Sequence, residues 1–495
     1  MTESIEQARR DVHDAFDSLL AYADDDEART LRQLEHSLWP MLLELGKALV
    51  VLWLVRQVAR PRPMSYKYHS KRFEIRPDEE RTIEIGTLFG KVTFTTPVAR
   101  RVGFRAKLQS DLPVNRELGL CSGFSLTVVM GMSCLCSQMP FKAAREMWRE
   151  FFLWSPSSKA VLRIVDATGK KARLFLEQAE LPTDDGEILV CQADGGAAPM
   201  ISPAELRRRK GPRKKHTGGG TQRQRRRQHR QAHPRPRRTK GKKSKNGKEA
   251  FVGVIYTLRQ TEEGLEGPIN KRVIGTFESH RALFIWLRAE AERRGYGRKR
   301  TLFLADGSHH IWNLQKTYFP EAECCLDWYH LIEHLWKAGC CIFKEGSDAL
   351  RQWISDQKER LRSGDIKEVL DELHRRLGQV PKTGPGTKGR RKRLNEVIGY
   401  LTGHQGRMPY AKFLGEGLDI GSGAVEGAIR HVVRLRLDGP GMRWGRERSE
   451  LVLHLRCIFL NGQWTEFTAY IAGLDGFALA SQPEPARPHA AKAKV

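Results

Sequence analysis

Three carboxylates stand where acids can act on a phosphodiester. Asp194 closes the apolar run 187–194 in EILVCQADGG, Asp306 closes 301–306 in TLFLADGS, and Glu426 falls in the first turn of a helix opening in GSGAVEGA. Acids at the ends of neighbouring strands project from one edge of a sheet, and a helix N-terminus can bring a third acid to that edge. Hard oxygen ligands so arranged suit Mg²⁺ or Mn²⁺, and a pair of such ions activates an attacking oxygen and stabilises a leaving one. Each acid also has an ordinary reading, since Asp-Gly is a turn pair and a glutamate gains from the dipole at a helix start. A competing pattern, His330-Leu331-Ile332-Glu333-His334, fits the H-x-x-E-H arrangement of a zinc metallopeptidase, with two histidines one helical turn apart. That reading leaves Asp194, Asp306 and the Glu426 segment without roles.

The acids need a sheet to hold them, and the hydropathy pattern supplies one. Strands are expected at 187–194, 250–258, 271–277, 301–306 and 322–327, with an amphipathic helix at 279–294. Three antiparallel-looking strands followed by helix, strand, helix, strand make an α/β layout with one mixed sheet. Residues 331–415 read as helices, and a further helix begins near GSGAVEGAIRHVV. Upstream, residues 1–60 show helical periodicity interrupted at Pro40, and 81–99 alternates about a glycine-containing turn as a β-hairpin. From Leu118 to Glu180 the pattern is helical again. Ser155-Pro156-Ser157-Ser158 joins two helices there, as a helix-turn-helix or as an ordinary helical hairpin, and Lys159 and Arg163 on the second helix are candidate DNA contacts.

Charge indicates a partner. The 495 residues carry 85 Lys and Arg against 58 Asp and Glu, a net +27. Between Arg207 and Lys248 lie 20 basic residues and no acid, so the rest of the chain carries only +7. Such a block cannot fold by burial and repels itself; it suits the neutralisation of a polyanion, with release of counterions from phosphates. Arg207, Arg208, Arg225, Arg226 and Arg227 are its candidate DNA contacts. The nine cysteines lie mostly in apolar runs without the spacing of a secreted disulfide framework, which reads as a reducing compartment. The opening MTESIEQARRDVHDAF has no signal pattern, and the apolar stretch Trp39–Val55 contains Glu44 and Lys47, so it reads as a packing helix and not a membrane span.

The segments FLADGSHHIWNLQKTYFPEAECCLDWYHLIEHLWKAG and IGSGAVEGAIRHVVRLRLDGPGMRWGRERSELVLHLRCIFLNGQW resemble the DDE transposases of bacterial insertion sequences, in the Kra-type group related to Mutator-like transposases. The resemblance runs from the N-terminal helices through Trp464. It implies an RNase H-like mixed-sheet catalytic domain interrupted by a helical insertion, preceded by a mainly helical DNA-binding region with a β-hairpin. The expected divisions are a helical region 1–65, a hairpin region 66–117, a helix-turn-helix-like region 118–182, a first core part 183–330 containing the basic insertion 207–248, a helical insertion 331–415, a last core part 416–475 and a disordered tail 476–495.

By the same resemblance Asp194, Asp306 and Glu426 are the catalytic acids and the ligands of two Mg²⁺ or Mn²⁺ ions. The family's C/D-x-x-H signature falls on Asp327 and His330 as accessory residues. The implied activity is cleavage of DNA at element ends and transfer of the freed 3′-OH to target DNA. The implied partners are terminal inverted repeats, target DNA and further copies of the chain, in a cytoplasmic, nucleoid-associated protein with no membrane partner. Arg430 and Arg434, four and eight residues after Glu426, would grip phosphates near the site. Trp444 in GMRWGRE would stack on an unpaired base or pack internally. A catalytically inactive descendant that binds DNA without cutting is the alternative. Unlike many relatives, this chain has no cysteine between residues 56 and 120, so no structural zinc is expected at the hairpin.

Overall fold

The helical periodicity of the first 60 residues is realised as α1 (Thr2–Ala23) and α2 (Leu31–Val58). The computed structural model describes residues 2–68, 70–103, 109–120, 123–202, 207, 247–440 and 442–474. The chain divides into two units, one formed by residues 1–175 and 462–495 and the other by 176–461.

In the first unit the break between helices lies at residues 24–30 and not at Pro40, which sits inside α2. Thr30 and Gln33 cap α2 reciprocally. An internal proline removes one helical hydrogen bond and costs a helix about 3 kcal/mol. Strands β1 (Ser65–Tyr68), β2 (Lys71–Thr87), β3 (Gly90–Arg101) and β4 (Ser110–Asp111) form an antiparallel sheet in that order. Ile85, Val92 and Phe94 of the hairpin bury against Leu54 of α2 and Val114, so apolar packing holds it. α2 is long and apolar enough to cross a membrane by length and composition; Trp39, Leu42, Leu49 and Trp53 are exposed along it. Next come α3 (Pro113–Glu117), α4 (Leu126–Gln138), α5 (Phe141–Phe152) and α6 (Ser158–Gln178). The α5–α6 join is tied by Arg145, which donates to the Pro156 carbonyl and the Ser158 hydroxyl, each at 2.8 Å. α6 buries Ala160, Val161, Ile164 and Val165 and turns Lys159 and Arg163 to solvent. The helix Trp464–Gly473 belongs to this unit, with Phe467 against Phe175.

The second unit is α/β, built on one mixed sheet. β5 (Ile188–Pro199), β6 (Gly247–Thr261), β7 (Gly264–Thr276), β8 (Arg300–Ala305) and β9 (Glu323–Leu326) lie in the order β7-β6-β5-β8-β9. The first three strands are antiparallel, and β5, β8 and β9 are parallel. β5 ends at Pro199 opposite Gly247, so the basic segment leaves and re-enters the sheet between two paired strands. α7 (His280–Arg293) and α8 (His309–Tyr318) flank β8 in the chain. Between β9 and the Glu426 segment come α9 (Trp328–Ile342), α10 (Asp348–Arg362), α11 (Ile366–Gln379), α12 (Thr387–His404) and α13 (Tyr410–Gly415). They are followed by α14 (Gly423–Ile429), a π-helical turn (Arg430–Arg434), α15 (Leu435–Leu437) and α16 (Arg446–Leu460).

Gly253 and Gly196 mark the two sheet faces. A side chain at Gly253 would meet Leu283 and Leu287 of α7, and one at Gly196 would meet Ile429 and Val433. Near the start of β5, Asp185 pairs with the fully buried Arg294 guanidinium at 2.6 Å. Burial alone would raise the Asp185 carboxyl, but hydrogen bonds from Arg294 and Thr257 outweigh it and lower it to about 2. A depressed carboxylate contributes stability above its unfolded value, near 4, and loses that contribution as pH falls toward 2. Asp185→Asn, which leaves Arg294 buried without its counter-charge, is expected to cost about 3–5 kcal/mol at neutral pH and to flatten the acid limb of a urea-denaturation series.

Candidate active site

The strand register brings two of the acids together. Ala193 on β5 pairs with Ala305 at the end of β8 in parallel register, so Asp194 and Asp306 are the next residues on adjacent strands. Asp194 does not end its strand as expected. β5 continues to Pro199 on the strength of β6, while β8 stops at Ala305, which opens the sheet beside Asp194. Alternation along the strand puts Gln192, Asp194 and Gly196 on one face. That face carries α14: Val425 N–H donates to Gln192 Oε1 at 2.9 Å, and Ile429 packs over Gly196. Glu426, one residue after this anchor, is thereby delivered to the Asp194 face.

A second group fixes Glu426 from the other side. Asp327 is fully buried at the N-cap of α9. Its Oδ2 accepts from the His330 backbone N–H at 2.8 Å and meets His330 Nδ1 at 2.7 Å, while its Oδ1 accepts from Ser422 N–H at 2.6 Å. Ser422 Oγ in turn donates to Glu426 Oε1 at 3.2 Å, and His330 Nδ1 lies 3.9 Å from the same oxygen. Among the described residues, Asp327, His330 and Glu426 form the group of metal-capable side chains whose ligand atoms all lie within 4.8 Å of one another. Asp194, Asp306 and Glu426 do not form such a group among the described residues. Both oxygens of Asp327 are already engaged, which makes it an orienting group for His330 and the Ser422 turn.

The electrostatics follow from this crowding. Burial raises the Asp194 carboxyl, and repulsion from Asp306 and Glu426 adds to it. The Gly195 amide and His330 act in the opposite direction, and the net value is about 6. His330 is pushed up to about 9, first by its hydrogen bond to Asp327 against the effect of burial, then by the charges of Asp327, Asp306 and Asp194, so it is an imidazolium at neutral pH. A raised carboxyl costs stability as it ionises: the folded state holds the proton more tightly than the unfolded chain, so stability falls as pH rises from about 4 to about 6. The cation-free protein is therefore expected to gain stability, at most about 3 kcal/mol at pH 7, on Asp194→Asn. Urea denaturation of both proteins from pH 4 to 7.5 measures this, and parallel curves would refute it.

The remaining candidates fall into place unevenly. Arg430 and Arg434 are exposed beyond Glu426. The π turn, in which Leu435 N–H bonds to the Arg430 carbonyl, rotates less per residue than an α-helix and keeps Arg434 near the Glu426 side. Trp444 is 7% exposed, donates its indole N–H to the Leu437 carbonyl at 2.8 Å and lies under the Arg436 guanidinium. It packs internally and offers no stacking face, which corrects the base-stacking expectation; its backbone is held by Pro199 and Ile201. Arg207 is exposed, while Arg208, Arg225, Arg226 and Arg227 lie outside the described residues. In the H-x-x-E-H segment, His334 is half-buried and not on the open surface of α9. It stacks flat on Tyr400, centroids 3.8 Å apart, and burial lowers it to about 4. Glu333 points to solvent, and neither residue joins a metal-capable group among the described residues. Sequence reasoning missed Gln192 and Ser422, which position Glu426. No protein-family model matches this chain, and no curated protein matches it in sequence.

Proposed function

We propose that this protein is a DDE-type transposase that cuts DNA at the ends of an insertion sequence and joins the freed 3′-OH to target DNA. The observation that carries the reading is the placement of Asp194 and Asp306 side by side across the β5–β8 pair, on the sheet face to which α14 brings Glu426. A mixed sheet of three antiparallel strands leading into two parallel ones, with a helical insertion before the Glu426 helix, supports an RNase H-like catalytic domain.

The donor set fits a hard divalent cation: all three candidates are carboxylates, and the raised Asp194 marks negative charge that the protein alone does not compensate. Asp194, Asp306 and Glu426 would hold Mg²⁺ or Mn²⁺, which when bound in pairs supplies activation of the attacking oxygen and stabilisation of the leaving one. The chain's own residues do the positioning. Asp327 orients His330 and the Ser422 turn, and Ser422 holds Glu426. Arg430 and Arg434 bind backbone phosphates, and Lys159, Arg163 and the 207–248 block hold flanking DNA. Joining two element ends calls for two or more copies of the chain, acting in the cytoplasm on the nucleoid.

The test is incubation of the protein with a DNA fragment carrying the sequences that flank its gene, in Mg²⁺ or Mn²⁺ and in chelator. Cation-dependent cuts at the element boundary are expected. Tight binding without cutting would replace this reading with a DNA-binding descendant that has lost its chemistry.

A further inference from the structure

The helical insertion reaches the candidate active site through Tyr400 of α12. Its ring is clamped flat against His334, with an interplanar angle of 5°. The ring also covers the turn after Asp306, where a Cβ at Gly307 would collide with the Tyr400 ring and hydroxyl. Glycine at 307 is thus a condition for the ring's position. The Tyr400 hydroxyl is buried and has no hydrogen-bond partner among the described residues. A buried hydroxyl without a partner is costly, and its retention calls for an explanation. Next to it, Asp306 Oδ1 accepts from Ser308 N–H at 2.9 Å, and the second carboxylate oxygen takes no hydrogen bond from the described residues.

We infer that Tyr400 is a positioning residue for Asp306: in the loaded site its hydroxyl would donate to the Asp306 carboxylate and hold that carboxylate in place for the divalent cation that Asp194, Asp306 and Glu426 would bind. Carboxylates that ligate metals are themselves hydrogen-bonded, which sets their orientation and basicity, and such bonds often tighten only in the loaded site. The inference rests on the cation-binding reading of the Asp194–Asp306–Glu426 site. It gives the insertion a chemical role and accounts for both Gly307 and the flat His334 contact.

Tyr400→Phe keeps the ring, the stack on His334 and the cover over Gly307 while removing only the hydroxyl. The measurements are Mn²⁺ affinity of the protein alone, the Mn²⁺ concentration that half-activates DNA cutting, DNA affinity, and the melting temperature without cation. The expected result is a Mn²⁺ affinity lower by about 10- to 100-fold, with DNA affinity unchanged and the cation-free melting temperature unchanged or raised. In an Asp306→Asn background the same change has no further effect on Mn²⁺ affinity. Wild-type Mn²⁺ binding that Tyr400→Phe leaves intact overturns the inference and spares the site. A parallel loss of melting temperature and DNA affinity assigns Tyr400 a purely structural part and overturns it as well. Absence of Mn²⁺ binding by the wild type overturns the cation site and this inference with it.

Discussion

Asp306→Asn is expected to lose cation-dependent DNA cutting by about 10³-fold or more, roughly 4 kcal/mol of transition-state stabilisation, with DNA affinity retained. The substitution is nearly isosteric. The Ser308 N–H bond to the side-chain oxygen survives, and the Trp312 indole bond, 2.7 Å to the residue 306 carbonyl, depends on backbone alone. What disappears is the charge. An amide oxygen is a weaker ligand for a hard dication, and Asp194 and Glu426 would be left to hold two ions without the third carboxylate. Single-turnover cleavage of an end-bearing fragment, beside fluorescence anisotropy on the same DNA, separates chemistry from binding. Cutting within a few-fold of wild type would remove Asp306 from the site and with it the significance of the β5–β8 register. Loss of cutting together with DNA affinity would point to a folding defect, which a melting curve identifies.

DNA affinity is expected to fall by about 10³-fold between roughly 50 and 200 mM salt, and removal of residues 208–245 is expected to abolish most of that slope. The reason is the 20 basic residues between Arg207 and Lys248, which meet no acid within the block. Each phosphate neutralised releases condensed counterions, so the slope counts contacts. The fold makes the excision practical: Pro199 and Gly247 are paired neighbours, so a short turn can rejoin β5 and β6. Met200, Ile201 and Lys248 stay in place, preserving the backbone contacts to Trp444 and the Lys248 bond to the Phe277 carbonyl. An unchanged salt slope in the shortened protein would make the block a spacer. A slope that collapses while cation-dependent cutting of a short fragment persists would separate DNA retention from chemistry.

Several features of the site are local properties of the chain and were open to reading from it. Period-two alternation and short apolar runs announce the five strands and the acids beside them, because a buried strand must present apolar side chains whatever it pairs with. The charge of the 207–248 block and the helix-start position of Glu426 are equally matters of composition and spacing. Boundaries were less secure. β5 outruns Asp194 because β6 continues to pair with it, and α2 runs through Pro40 where local propensity alone places a break.

The tertiary structure alone decided which residues meet. Ser422 N–H reaches Asp327 across 95 residues, and Val425 N–H reaches Gln192 across 233; no local pattern encodes such pairings. The same holds for Trp444, whose type suits stacking on a base or packing equally and whose burial settles the matter, and for Tyr400, set beside Asp306 by the packing of a distant helix over Gly307. The raised Asp194 carboxyl likewise exists only in the fold, since desolvation and like-charge repulsion depend on what surrounds a group and not on its neighbours in sequence. Composition and periodicity determined the parts and their chemical types; strand register and side-chain packing, being non-local, determined which of those parts meet.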